Sequence, residues 1–317
     1  MKKNTNALLL FCFIAATVSG QKIEKYFDYN WKECAPNMAR FFGVIQKTDS
    51  GWLRQDYFLI EKKLQMEALY QDSNCTQAIG EYFTFYPNGK LQTIGKYSNN
   101  NKQGLWIGLY PDGFIADSTN YENSLPVGVS KRWHENGYLS DSIIYNPDGS
   151  AVQFSWFDDG NIAAAGRLNP LGHLQGKWQY FHDNGKPSAL ETYNNDILVN
   201  KQYFSEDGIQ MQDTTDHTRK AEFKGGVNGW LRWLEKNLYT PRDFQITNAD
   251  KATIVTNFVV DKDGNVSNVY LSVPFFEPYN NIVLKVFHNS PKWIPAFEHN
   301  RVVKYRHRQS ITFVQQQ

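Results

Sequence analysis

The chain has 317 residues, with 33 basic and 32 acidic side chains for a net charge of +1 and an aromatic share of 15%. That length holds about two domains. Balanced charge argues against nucleic acid as a partner.

Lys2 and Lys3 precede the apolar stretch 7–18, and Ser19-Gly20 stand before Gln21, which is the layout of a secretory signal. Twelve apolar residues are too few for a spanning helix, which takes about 20, so residues 1–20 are expected to be cleaved, leaving no integral membrane span. Phe11 stands where lipid attachment at Cys12 would need a small residue. Cys34 and Cys75 are then the cysteines of the mature chain. In an oxidising compartment they could form one disulfide, with two unpaired thiols as the alternative.

Residues 21–79 read as an N-terminal cap containing a worn repeat, carried by Gly51-Trp52, Tyr57-Phe58 and Leu64-Gln65-Met66. From residue 80 to 211 a period takes over. Asn-Gly or Asp-Gly pairs stand at Asn88-Gly89, Asp112-Gly113, Asn136-Gly137, Asp159-Gly160, Asn184-Gly185 and Asp207-Gly208, their glycines 24, 24, 23, 25 and 23 residues apart. Each pair predicts a β-hairpin with a two-residue type I′ turn. Nine residues before each turn glycine stand Gly80, Gly104, Gly128, Ala151, Gly176 and Val199, and four before it Phe85, Leu109, Trp133, Trp156, Phe181 and Phe204. Eight after fall Tyr97, Tyr121, Tyr145, Leu168 and Tyr193. Such columns predict stacked rows on one antiparallel sheet, long because a lone hairpin is marginal in water.

The polar run 212–222 reads as a linker. Residues 223–317 form a second unit with a different pattern. Val227, Trp230, Leu231, Leu234 and Leu238 predict an amphipathic helix over 227–238, followed by strands over 253–260 and 266–273 around the turn Asp261-Lys262-Asp263-Gly264. A second helix starts near Pro278 and buries Ile282, Val283, Val286 and Phe287, and a last strand spans 302–314. The fold class is therefore mainly β, a hairpin-repeat sheet followed by a helix-strand-strand-helix-strand α+β domain.

The pattern G-x-W-x-x-Y-x-x-N-G with a later tyrosine, best carried by residues 104–113 and 176–185, is similar to the MORN-repeat variant of many bacterial proteins, some labelled antitoxins. That resemblance implies stacked hairpins and a binding role. The order of elements over 223–313, with Phe258-Val259-Val260-Asp261-Lys262-Asp263-Gly264 and Pro291-Lys292-Trp293-Ile294-Pro295, resembles the TonB C-terminal domain. That likeness implies a periplasmic or outer-membrane-associated protein of a Gram-negative bacterium whose last strand adds a partner peptide as an extra strand. Carried over, the partner-binding edge comprises Val303, Tyr305, His307, Gln309, Ile311 and Phe313. TonB proteins keep a membrane anchor and a proline-rich spacer. Here a short signal and a repeat ladder stand instead, which argues against force transduction.

No catalytic, metal or cofactor constellation emerges from the residues. His134-Glu135 lacks the second histidine of a zinc-protease motif, since Tyr138 stands there, and His134 and His182 fall in a column with Tyr86, Tyr110 and Phe157 that reads as packing. Asp261-Lys262-Asp263-Gly264 reads as a turn rather than a calcium loop. Trp106, Trp133, Trp156 and Trp178 could line a groove that stacks sugars or peptides, or simply fill the sheet's core. The basic residues Arg301, Lys304, Arg306, His307 and Arg308 could draw an acidic partner or protect an edge strand. The expected function is a non-enzymatic envelope scaffold that binds an envelope protein or an outer-membrane transporter segment. The alternatives are a TonB-related transport component and a glycan-acting enzyme using the aromatic face.

Overall fold

A computed structural model describes residues 21–241 and 251–314. The expected signal segment, residues 1–20, lies outside them. Fifteen strands form one sheet in which each strand is antiparallel to its neighbours in sequence. The first four, from the region expected to cap the ladder, are β1 (Lys22–Phe27), β2 (Phe41–Thr48), β3 (Gly51–Phe58) and β4 (Lys63–Tyr70). The next six are β5 (Ala78–Phe85), β6 (Leu91–Ser98), β7 (Asn101–Leu109), β8 (Ile115–Glu122), β9 (Leu125–Trp133) and β10 (Leu139–Tyr145). β11 (Ala151–Trp156), β12 (Ile162–Leu168), β13 (Leu174–Phe181), β14 (Pro187–Asn194) and β15 (Ile197–Tyr203) complete the ladder.

The Asn-Gly and Asp-Gly pairs reverse the chain as expected, but not through type I′ turns. Only the glycine of each pair has positive φ, as at Gly89 (+86°) and Gly137 (+86°). Gly89 N donates to Tyr86 O at 2.8 Å and Tyr86 N to Lys90 O at 2.8 Å, a three-residue loop closed by a left-handed glycine. Pro87 and Pro111 preset the first central φ of such a turn, and the Asn or Asp before the glycine accepts the N–H two residues on, as from Lys90 N to Asn88 Oδ1 at 2.9 Å. Turns with two left-handed central residues lie on the opposite edge of the sheet, at Asn99-Asn100, Asn123-Ser124 and Asn195-Asp196.

The column nine residues before each turn glycine builds bulges. Gly80, Gly104, Gly128 and Gly176 have φ between +68° and +70°, and the register with the preceding strand shifts at each. At Ala151, which a left-handed conformation would strain, β10 and β11 pair without a shift. Three of the glycines sit opposite a column tyrosine: Gly80 with Tyr97, Gly104 with Tyr121 and Gly176 with Tyr193.

The C-terminal unit is α+β: α1 (Gly226–Asn237), β16 (Lys251–Val260), β17 (Val266–Val273), α2 (Glu277–His288), the short strands β18 (Ala296–Glu298) and β19 (Arg301–Val303), and β20 (Tyr305–Val314). The expected last strand is thus broken at Lys304. Strand order is β17-β16-β20, which leaves β20 at an edge. The face of α1 centred on Trp230 and Leu234 is buried, whereas Val227 and Leu231, expected on the inner face, are 75% and 48% exposed. Trp230, Leu234, Phe258, Val283, Phe287, Trp293 and Phe313 belong to one core between the helices and this sheet.

Candidate interaction surface

The residues assigned to the partner-binding edge point inward. Ile311 and Phe313 are buried, Val303 and Tyr305 are partly buried against the same core, and Gln309 is half-buried. The His307 ring stacks on Phe258 with centroids 5.0 Å apart. Burial pushes the His307 imidazole pKa down, against a hydrogen bond to the Ala221 backbone. Val303 lies in β19 and pairs with Ala296 rather than with β16. The five of these side chains that lie on β20 therefore anchor it. What β20 presents outward is main chain, because its hydrogen-bonded neighbour among the described residues is β16 alone.

Lys304, just before β20, and Arg306 on it reach the ladder. Lys304 pairs with Asp158, and Arg306 lies 3.6 Å from Glu135 and over the Tyr110 ring. Two residues of the basic cluster thus have an acidic partner within the same chain. The C-terminal sheet lies between its own helices and the ladder edge that carries the glycine turns. Val255 and Val273 share a buried cluster with Phe27, Phe41 and Phe58 from the first ladder strands, Tyr270 meets Tyr86 edge to face, and Lys262 pairs with Asp183.

A hairpin tip fastens the far end. His299 and Asn300, both with positive φ, join β18 to β19 in a tight turn. The His299 ring lies parallel to Tyr180 with centroids 3.6 Å apart, and its Nδ1 stands 2.9 Å from Oε2 of Glu191. Glu191 is buried and also accepts from the Tyr193 hydroxyl. Asn300 Nδ2 donates at 2.9 Å to Phe204 O, which already accepts from His182. Nothing in the sequence reading pointed to this contact. The available signal was His-Asn, a pair that tolerates left-handed φ, between Phe297 and Val302.

The four tryptophans do not form one aromatic face. Trp106 and Trp178 are buried, seven residues before their turn glycines, and lie across Gly95 and Gly166 on neighbouring strands. Trp133 and Trp156 sit four residues before theirs, an odd step of three from the buried pair's position that turns them to the other side of the sheet, where they are half-buried. His134 and His182 do more than fill space: each Nε2 donates to a carbonyl of the next repeat, Trp156 O at 2.9 Å and Phe204 O at 3.0 Å. Asp261 accepts from Asp263 N and Asn265 N within its turn, as a hairpin requires. Cys34 and Cys75 are both free thiols, Cys34 in the loop after β1 and Cys75 in the β4–β5 turn against the Met66–Ala78 cluster. A groove of about 420 Å³ between ladder and C-terminal unit is lined by Tyr86, Pro111, Glu61, Tyr270 and Glu277. Among the described residues no helix is long and apolar enough to cross a membrane, and no group of three or more His, Cys, Asp or Glu is placed to hold a metal ion.

Two stretches of the ladder, residues 79–99 and 174–195, match the family model described as MORN repeat variant. They cover β5 with β6 and β13 with β14, each a hairpin with its glycine turn. No curated protein matches the chain. The repeats and the long antiparallel sheet together suggest a repeat-based protein-binding scaffold.

Proposed function

We propose that this protein is a non-enzymatic scaffold of the bacterial cell envelope, exported by its N-terminal segment, in which the ladder holds a small α+β domain that takes up a partner strand. The observation that carries the reading is β20: it is the outer strand of its sheet, Tyr305, His307, Ile311 and Phe313 are held by the domain core, and Arg306 on its other face reaches Glu135 of the ladder. A rigid edge with unpaired main-chain groups is preorganised for strand addition, and little ordering entropy opposes binding on the protein's side. The partner is an extended segment of an envelope protein, with an outer-membrane transporter segment as the narrower form suggested by the likeness to TonB.

Hydrogen exchange on the full-length protein tests this. Outward-facing amides of β20 exchange rapidly in the free protein and become protected when envelope extract is added, and a photo-crosslinking residue at Arg308 joins the chain to one defined protein. Amides of β20 already protected along its whole length in the isolated protein would count against the proposal.

A further inference from the structure

Along the edge that faces the C-terminal unit, one column of side chains recurs among the bonds that stitch successive repeats. The residue three before a turn glycine donates to the carbonyl four before the next one: Tyr86 to Leu109 O at 2.8 Å, Tyr110 to Trp133 O at 2.6 Å, His134 to Trp156 O at 2.9 Å and His182 to Phe204 O at 3.0 Å. The fourth repeat departs from the column. Phe157 has no donor, so the carbonyl of Phe181 receives nothing from its own column.

That carbonyl accepts instead from Arg301 Nη1, at the start of β19, and the same nitrogen donates to Ala163 O at 2.5 Å. The guanidinium carbon stands 5.0 Å from the Phe157 ring centroid and 5.6 Å from that of Tyr180. Among the described residues the lysine and arginine ion pairs joining the two units are made by Lys262, Lys304 and Arg306, not by Arg301. Its direct contacts are carbonyl dipoles and ring faces, with the Asp183, Glu298 and Glu191 carboxylates acting from farther off, and burial lowers its pKa to about 10. Lysine behaves differently at the same ring: Lys262 Nζ lies 4.2 Å from the Phe157 centroid, yet its hydrogen bond goes to the Asp183 carboxylate. A compact ammonium seeks a carboxylate, whereas a planar guanidinium can lie between rings while its edge reaches carbonyls.

We propose that the gap at Phe157 is a guanidinium-binding notch in the ladder, formed by the Phe181 and Ala163 carbonyls and the rings of Phe157 and Tyr180, and that its ligand is an arginine presented beside a hairpin tip. In this chain the ligand is Arg301, which registers the C-terminal unit on the fourth repeat. The notch does not depend on whether β20 adds a strand, so either reading can fail without the other.

The test uses the full-length protein and reads hydrogen exchange over residues 296–303, with β5–β8 as an internal control. Arg301→Ala raises exchange in 296–303 by about tenfold, the loss expected for a charge-assisted hydrogen bond, and leaves the control segment unchanged. Millimolar methylguanidinium restores protection and methylammonium does not. Arg301→Lys, which keeps the charge, behaves like the alanine variant, and adding Phe157→Leu to Arg301→Ala weakens the rescue. Equal rescue by the two cations, a lysine variant as protected as the parent, or rescue indifferent to Phe157 would each overturn the notch. Should Arg301→Ala loosen the whole molecule, the lysine variant decides.

Discussion

The indole of Trp178 on β13 lies across Gly166 on β12, so closely that a Cβ added to the glycine would fall well inside contact distance of the ring. Trp106 and Gly95 repeat the arrangement between β7 and β6. The tryptophan is accommodated because its neighbour has no side chain, and the Nε1 of Trp178 is free to donate to Arg167 O at 3.0 Å. Gly166→Ala should therefore cost about 1–3 kcal/mol by overpacking, and Trp178→Ala about 3–5 kcal/mol by leaving a cavity. Urea unfolding of the single variants and the pair measures the coupling. Because the atoms nearest to a Cβ at Gly166 all belong to the indole, the pair should cost clearly less than the sum, and strict additivity would contradict the contact.

The cross-repeat bonds make a second prediction. Tyr86 is buried, and its hydroxyl donates to a carbonyl in the following repeat. Tyr86→Phe retains the ring and removes the donor, so ladder stability should fall by about 1 kcal/mol, seen as a lower urea midpoint at unchanged slope. No change would mean that water replaces the hydroxyl at Leu109 O.

Repetition made the ladder legible, because one structural solution had to be written several times. The glycines at 80, 104, 128 and 176 stood out as a column, and the structure shows why: each adopts the left-handed conformation of a bulge. The turn type was misread because Asn-Gly suits both a two-residue and a three-residue loop, and Pro87 and Pro111 were the discriminating signal. In the C-terminal unit the helical and alternating patterns placed every major element, since each buries an apolar face against its own core. The docking of that unit on the ladder had no such signature. Arg301 meets Ala163 across 138 residues of chain and His299 meets Glu191 across 108, and each contact occurs once. Only the exceptions to the columns hinted at it, Phe157 above all.

His307 makes stability depend on pH. Its ring lies between Phe258, Trp293 and Tyr305, and burial depresses its pKa below the usual 6.5, with Lys220 adding to the shift. Below about 6.5 the unfolded chain takes up a proton that the folded chain refuses, so this residue's contribution is intact above that pH and is lost as pH falls toward the folded value, with no further change beyond it. His307→Phe keeps an aromatic ring in the stack and cannot titrate. The difference in unfolding free energy between parent and variant, followed from pH 8 to about pH 5, should shift in the variant's favour on the acidic side. A difference independent of pH would show that the imidazole titrates equally in both states.

The two thiols should differ from ordinary surface cysteines in reactivity. Burial, helped by Asp72 and Asp56 and opposed by Arg54, pushes the Cys75 pKa up to about 11. Cys34 is also raised, chiefly by burial and then by Asp28. A thiol attacks as the thiolate, so at pH 8 only about one Cys75 in a thousand is reactive at any moment, and maleimide labelling should be about a hundredfold slower than in urea. Peptide mass spectrometry after labelling assigns the rate to each cysteine. Both residues should carry the label once the chain is unfolded without reductant, because the structure holds them as free thiols. A peptide pair joined through Cys34 and Cys75 would instead mean that the loop after β1 is tied to the β4–β5 turn. That bond would stabilise the first four strands by restricting the unfolded chain, and reduction would then lower the urea midpoint of the segment that supplies Phe27, Phe41 and Phe58 to the C-terminal unit.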